Sequence, residues 1–102
     1  MARALTHPRP HSKVVIFSKT TCPYCTKAKR AFASIGVSAP HVIELDTRAD
    51  CDAVQAELKK LTGASSVPRV YVGGVFLGGG DDTAAAAANG TLTSLCAKAG
   101  AL

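Results

Sequence analysis

Residues 69–77 read Arg-Val-Tyr-Val-Gly-Gly-Val-Phe-Leu. Two short β-rich segments flank a Gly-Gly pair, and glycine adopts the positive φ angles of a tight hairpin turn without steric cost. An antiparallel hairpin over Arg69–Val72 and Val75–Leu77 is therefore the clearest local expectation in the chain. It commits any sheet that includes it to an antiparallel component.

The earlier half reads differently. Val14-Val15-Ile16-Phe17 is a continuous apolar run, as in a strand buried on both faces. Pro23 suits the first turn of a helix, where its missing N–H costs nothing. In that helix Ala28, Phe32 and Ile35 form an apolar stripe before Gly36 ends it. His41–Leu45 reads as a second strand. Asp50 or Asp52 caps a further helix, with Val54, Leu58 and Leu61 on one face before Gly63. After the hairpin, Gly78-Gly79-Gly80 reads as a flexible loop, with Asp81 or Asp82 as the cap of an Ala-rich helix over Thr83–Asn89. Gly90 breaks it, and Leu92, Leu95 and Ala99 mark one more helical segment. The order β-α-β-α-β-β-α needs parallel strands first and the antiparallel hairpin afterwards. A mixed four-stranded β-sheet flanked by helices on both faces satisfies it, an α/β arrangement of the thioredoxin-like kind.

The chain has 102 residues, enough for one domain. At 47% hydrophobic and 19% charged it has a globular composition, and with 5% aromatics and no Trp its core must be aliphatic. Residues 13–102 are expected to form that domain, preceded by an N-terminal extension, residues 1–12, interrupted by Pro8 and Pro10. No run is long or apolar enough to suggest a membrane span. A net charge of +5 is not accompanied by a basic run interleaved with aromatics, so nucleic acid is not an expected partner. Lys27, Lys29 and Arg30 cluster just after Cys22 and Cys25, which reads as a solvated helix face or as a field that draws a small anionic substrate. A domain with its own core needs no disulfide framework, so the four cysteines point to chemistry in a reducing compartment. The cytoplasm is the default, with an organelle left open if a longer precursor is trimmed.

Thr21-Cys22-Pro23-Tyr24-Cys25-Thr26 lies where the first strand meets the first helix. The thiolate is the nucleophilic form, and a free thiol titrates near ~8.5. Cys22 falls at the N-cap position, where unpaired N–H groups and the helix dipole favour an anion. Cys25, one turn on, is near enough to close a redox-active disulfide with Cys22 and is expected to face the sheet. The competing reading of C-x-x-C is half of a zinc site, which needs two more ligands. Cys51 and Cys96 are isolated, and His7 and His11 lie beyond a strand and a proline-rich lead. The redox reading is the better supported, and no metal ligand is assigned.

Lys19-Thr20-Thr21-Cys22-Pro23-Tyr24-Cys25, Ser66-Val67-Pro68 and Gly78-Gly79-Gly80-Asp81-Asp82-Thr83 occur in order and in register. Together they resemble the dithiol glutaredoxins of the C-P-Y-C class, from about Val14 to the C-terminus. The resemblance implies that Pro68 is a cis-proline presenting the backbone of Val67 to the cysteinyl unit of glutathione. The alternative is a trans proline at a strand start. It further implies that the N–H groups near Gly80 and Asp81 bind the γ-glutamyl carboxylate, with Asp82 on its ammonium. Lys19 and Gln55 match positions that hold the glycyl carboxylate, and Tyr24 matches a contact to the bound tripeptide. Ser66 stands where the family usually has Thr, and Cys51 and Cys96 lie outside the pattern; Cys96 reads as a small core residue.

The implied activity is a glutathione-dependent thiol–disulfide oxidoreductase that reduces protein–glutathione mixed disulfides and other disulfides. Cys22 is then the nucleophile, Cys25 the resolving thiol and glutathione the co-substrate. No bound cofactor is called for. The partners are glutathione, glutathionylated proteins and small disulfides, and the protein is expected to act as a monomer. The alternative is a [2Fe–2S] cluster scaffold using Cys22 and glutathione, which Pro23 disfavours by stiffening the loop and which visible absorbance would reveal.

Overall fold

The computed structural model describes residues 13–37 and 39–102. The N-terminal extension read at residues 1–12, with His7 and His11, lies outside the described residues. The elements follow the order β1 (Val14–Ser18), α1 (Pro23–Ser34), β2 (His41–Glu44), a 3₁₀ turn (Leu45–Thr47), α2 (Cys51–Thr62), β3 (Arg69–Val72), β4 (Val75–Gly78), α3 (Gly80–Asn89) and α4 (Thr91–Ala99). The strands form one sheet in the order β2-β1-β3-β4. β1 runs parallel to β2, with Val15 opposite His41, and antiparallel to β3, with Val14 opposite Val72. β3 and β4 form the hairpin, whose Gly73 and Gly74 take φ of 61° and 83°. Both central turn residues are left-handed, as a two-residue turn between twisted strands requires.

β1 is central and buried along its whole length. Its alternate side chains serve opposite layers. Val14 and Ile16, with Val70 and Val72 of β3, pack against Ala28 and Phe32 of α1, Ala86 of α3, and Leu92 and Cys96 of α4. Val15, Phe17 and Tyr71 face the other way, onto Leu45 and onto Val54 and Leu58 of α2. Helices thus cover both faces of a mixed sheet, and Cys96 is the core residue that its sequence position suggested.

Four local expectations change. Leu45 ends the second strand early: it is fully buried but opens the 3₁₀ turn, which the Arg48 N–H and Thr47 hydroxyl close onto the Leu45 and Glu44 carbonyls. Asp50 is the N-cap residue of α2 but makes no capping bond, because Arg48 holds its carboxylate through two bonds of 2.7 and 2.8 Å. Leu61 is 41% exposed, since the layer covered by α2 ends with Leu58. The triple glycine is not a loose loop: Gly78 ends β4 opposite Val70, and Gly80 begins α3 in a buried position. Close approach explains these glycines. A Cβ on Gly78, whose φ is 146°, would run into the Asp82 side chain, and one on Gly80 would lie 2.6 Å from the Tyr24 carbonyl oxygen.

Candidate active site

β1 ends at Ser18, and the next residues are clamped before the helix begins. Asp46, in the turn after β2, accepts from the Thr20 N–H at 3.1 Å through both oxygens and also from the Thr20 hydroxyl. The hydroxyl bond is the main reason the Asp46 carboxyl is held below its ordinary range, with Lys19 adding a smaller electrostatic share. Cys22 then adopts an extended N-cap conformation and Pro23 takes the first helical position. The Cys22 Sγ accepts from the Cys25 N–H at 3.2 Å. A donor and the positive end of the helix dipole are thereby set at the sulfur.

The two thiols sit in different surroundings. Cys22 is partly exposed, whereas Cys25 is fully buried on the sheet side of α1. Burial is the main cause that pushes the Cys25 thiol above its usual value, and its hydrogen bond with Cys22 adds to it. The hydroxyl of Ser18, itself fully buried, and the Lys19 backbone oppose that rise without cancelling it. Cys25 is thus kept protonated near neutrality, while Cys22 faces outward.

The second wall is the junction before β3. The Val67–Pro68 peptide bond is cis, and the Val67 carbonyl lies 3.8 Å from the Cys22 Sγ, which donates to it. Gln55 reaches this segment from α2: its Nε2 donates to the Ser65 carbonyl at 2.8 Å, and its Oε1 accepts from the Cys51 thiol at 3.4 Å. Arg69 ties the junction to the end of α2, donating to the Pro68 carbonyl and the Thr62 hydroxyl with its guanidinium over the Phe76 ring.

The start of α3 forms the third wall. Gly80 abuts the Tyr24 backbone, so the beginnings of α1 and α3 touch. The Gly79 N–H donates to Asp82 Oδ2 at 3.0 Å, and Thr83 returns to the Gly79 carbonyl through both its N–H and its hydroxyl. Asp81 pairs with Lys27 at 2.6 Å, and Lys27 also stands over the exposed Tyr24 ring. The first N–H groups of α3 therefore point out of the helix beside Tyr24, a ready anion site.

Of the residues singled out from the sequence, Cys22 meets Cys25 and the Val67 carbonyl beside Pro68, and Tyr24 meets Gly80, which is followed by Asp81 and Asp82 in the first turn of α3. Gln55 is anchored to the loop that carries Val67. Lys19 makes no side-chain bond to Cys22, and its charge acts weakly on Asp46 instead. Ser18, Asp46 and Arg69 were not anticipated. The serine closing an apolar strand was a usable signal for Ser18. The pairing of Thr20 with Asp46 spans 26 residues and left none.

A family model described as Glutaredoxin matches residues 14–77. Glutaredoxin-C4 of Arabidopsis thaliana is 44% identical over 88 residues, which cover 86% of this chain and 64% of that relative. The chain thus spans slightly less than two thirds of that relative's length. The crystal structure of oxidized glutaredoxin 2 from Chlamydomonas reinhardtii superposes with a TM-score of 0.89 at 53% identity, covering 99% of this chain and 91% of the other. A buckwheat glutaredoxin–glutathione complex superposes with a TM-score of 0.83 at 39% identity, covering 88% and 81%. A matching family model over most of the chain, on this fold and around this dithiol, shows that the protein belongs to the glutaredoxin family.

Proposed function

We propose that the protein removes glutathione from protein–glutathione mixed disulfides, with Cys22 as nucleophile. The observation that carries this reading is the asymmetry of the dithiol. One sulfur is accessible at a helix start beside the Val67 carbonyl, and the other is buried and held as a thiol.

The Cys22 thiolate attacks the glutathione sulfur of the mixed disulfide. A Cys22–glutathione disulfide forms, the substrate's S–S bond breaks, and the leaving protein thiolate takes up a proton. A second glutathione thiolate attacks the glutathionyl sulfur, forming glutathione disulfide and restoring the Cys22 thiolate. For a protein disulfide, Cys22 first attacks one substrate sulfur and forms a mixed disulfide, releasing the other as a thiol. Cys25 then attacks Cys22, releasing the second substrate thiol and closing the Cys22–Cys25 disulfide. Two glutathione molecules reduce that disulfide with formation of glutathione disulfide.

The three walls supply the recognition. Backbone pairing at Val67 holds the cysteinyl unit, the free N–H groups of α3 take the γ-glutamyl carboxylate, and Asp82 meets the ammonium. Asp82 Oδ1 has no partner among the described residues, which leaves it for that contact although Oδ2 is engaged by Gly79. Gln55 keeps one amide hydrogen beyond its bond to Ser65 for the glycyl carboxylate, with Lys19 contributing charge. The buckwheat relative has been crystallised as a glutathione complex, which supports glutathione as the ligand.

The test is a coupled assay with glutathione and the mixed disulfide of glutathione and 2-mercaptoethanol, following glutathione disulfide through glutathione reductase and NADPH. Saturable turnover far above the rate without protein is expected. A rate equal to the uncatalysed exchange overturns the reading.

A further inference from the structure

Of the four cysteines, Cys22 and Cys25 form the dithiol and Cys96 fills the core. Cys51 has neither place. It opens α2, and its half-buried side chain packs against the layer that holds Val54 and Leu58. Gln55 follows one helical turn later, so the two side chains share a face of α2. The Cys51 thiol donates to Gln55 Oε1 at 3.4 Å, and Gln55 Nε2 donates to the Ser65 carbonyl at 2.8 Å. The amide is therefore held at both ends, by Cys51 at the edge of the core and by Ser65 in the loop. Cys51 makes no other side-chain hydrogen bond among the described residues, so its influence passes through Gln55.

We propose that Cys51 is a positioning residue for glutathione: its thiol fixes the plane of the Gln55 amide, and with it the direction of the amide hydrogen left for the glycyl carboxylate. This role rests on the glycyl contact proposed above for Gln55 and adds the residue that aims it. A side-chain amide is planar, with two N–H donors at one end and an acceptor at the other. The Ser65 bond decides which end faces the loop, but by itself leaves the amide free to turn about the line from Nε2 to the Ser65 oxygen. That turn would sweep the second amide hydrogen through a range of directions. A donor at Oε1 removes the freedom, as supporting hydrogen bonds do for any binding group that must be held in one geometry. The sulfur is suited to this because packing against the core sets its own position. A thiol is a weak donor, so the contribution is to aim rather than to folding. A cysteine that merely filled the edge of the core would affect every substrate alike.

The experiment measures KM and kcat on the mixed disulfide of glutathione and 2-mercaptoethanol, and on the same compound with its glycyl carboxylate converted to an amide. Cys51→Ala, Cys51→Ser and Gln55→Ala are compared with the unsubstituted protein at one fixed glutathione concentration. Cys51→Ala should raise KM for the carboxylate substrate about two- to fivefold, as for loss of one weak hydrogen bond, with kcat little changed. Its effect on the amide substrate should be much smaller. Cys51→Ser keeps a donor and should bring KM back toward the unsubstituted value. An unchanged KM in Cys51→Ala, an equal rise on both substrates, or a Cys51→Ser variant no better than Cys51→Ala overturns the positioning role. Gln55→Ala separates that failure from a failure of the reading beneath it. A raised KM in Gln55→Ala but not in Cys51→Ala leaves the glycyl contact standing and removes Cys51 from it. An unchanged KM in Gln55→Ala refutes the glycyl contact, and the role of Cys51 with it. Absence of turnover in the unsubstituted protein refutes instead the proposed function.

Discussion

Cys22 and Cys25 share one turn of α1, yet the chain gives them opposite exposures and, in the proposed mechanism, different duties. Iodoacetamide at neutral pH should modify Cys22 and spare Cys25, which is fully buried and whose thiol is pushed up by that burial. Cys25 should become reactive only as the pH rises above the usual thiol range, and mapping the modified site by mass spectrometry checks this. Equal labelling of both at neutral pH would contradict it. Asp46 acts one step further back, by holding Thr20 and with it the approach to Cys22. Its folded-state pKa is lowered, so the clamp's contribution to stability is complete above the ordinary carboxylate value and is lost as the pH falls through the depressed one. Asp46→Asn should be less stable than the unsubstituted protein at neutral pH, with the two urea midpoints converging in acid; a gap that stays constant would contradict the clamp. Residues whose work is local were legible in the sequence. Cys22 before Pro23 announces an N-cap and a first helical turn without any knowledge of the rest of the chain. Asp46 was not legible, because its partner is set by the parallel pairing of β1 and β2, and neither is Asp50's diversion from capping to Arg48.

The hairpin was readable as an element because two glycines in the left-handed region permit little else between two β-rich segments. The segment after it is ordered where its composition suggests a loose loop. Three consecutive glycines suggest flexibility in a sequence, but Gly78 and Gly80 are required by neighbours that the sequence does not place beside them, the Asp82 side chain and the Tyr24 backbone. Gly80→Ala should therefore cost about 1–3 kcal/mol through overpacking between α1 and α3, read as a lower urea midpoint at an unchanged m-value. Normal stability in that variant would contradict the close approach. At the start of α3, Asp82 has two duties, accepting from Gly79 and, in the proposed mechanism, meeting the substrate's ammonium. Asp82→Ala should lower the melting temperature and also raise the KM for the small mixed disulfide several-fold, with a smaller effect on kcat. A lowered melting temperature with unchanged kinetics would leave only the capping role.

The molecule as a whole is organised by β1, which divides its side chains between a layer under α1, α3 and α4 and a layer under α2. That two-sided burial was legible in Val14–Phe17, since a strand covered on one face alternates and this one does not. The limit of the second layer was not: Leu58 is fully buried and Leu61 exposed although both keep the helical spacing. Leu58→Ala should cost about 2–5 kcal/mol as a buried cavity, whereas Leu61→Ala should lie within about 0.5 kcal/mol of the unsubstituted protein. A comparable loss from both would mean that the layer extends further than it does here. This frame holds an accessible thiol over a buried one at the meeting of three elements, and the proposed function rests on that difference. The decisive measurement is the turnover of Cys22→Ser and Cys25→Ser on a glutathione mixed disulfide, with both variants first shown to be folded. Cys22→Ser should be inactive, because a hydroxyl cannot replace the thiolate in exchange. Cys25→Ser should retain substantial activity, because glutathione from solution resolves the Cys22–glutathione intermediate. Cys25→Ser being as inactive as Cys22→Ser would contradict the account and require a mechanism in which both thiols take part in every turnover.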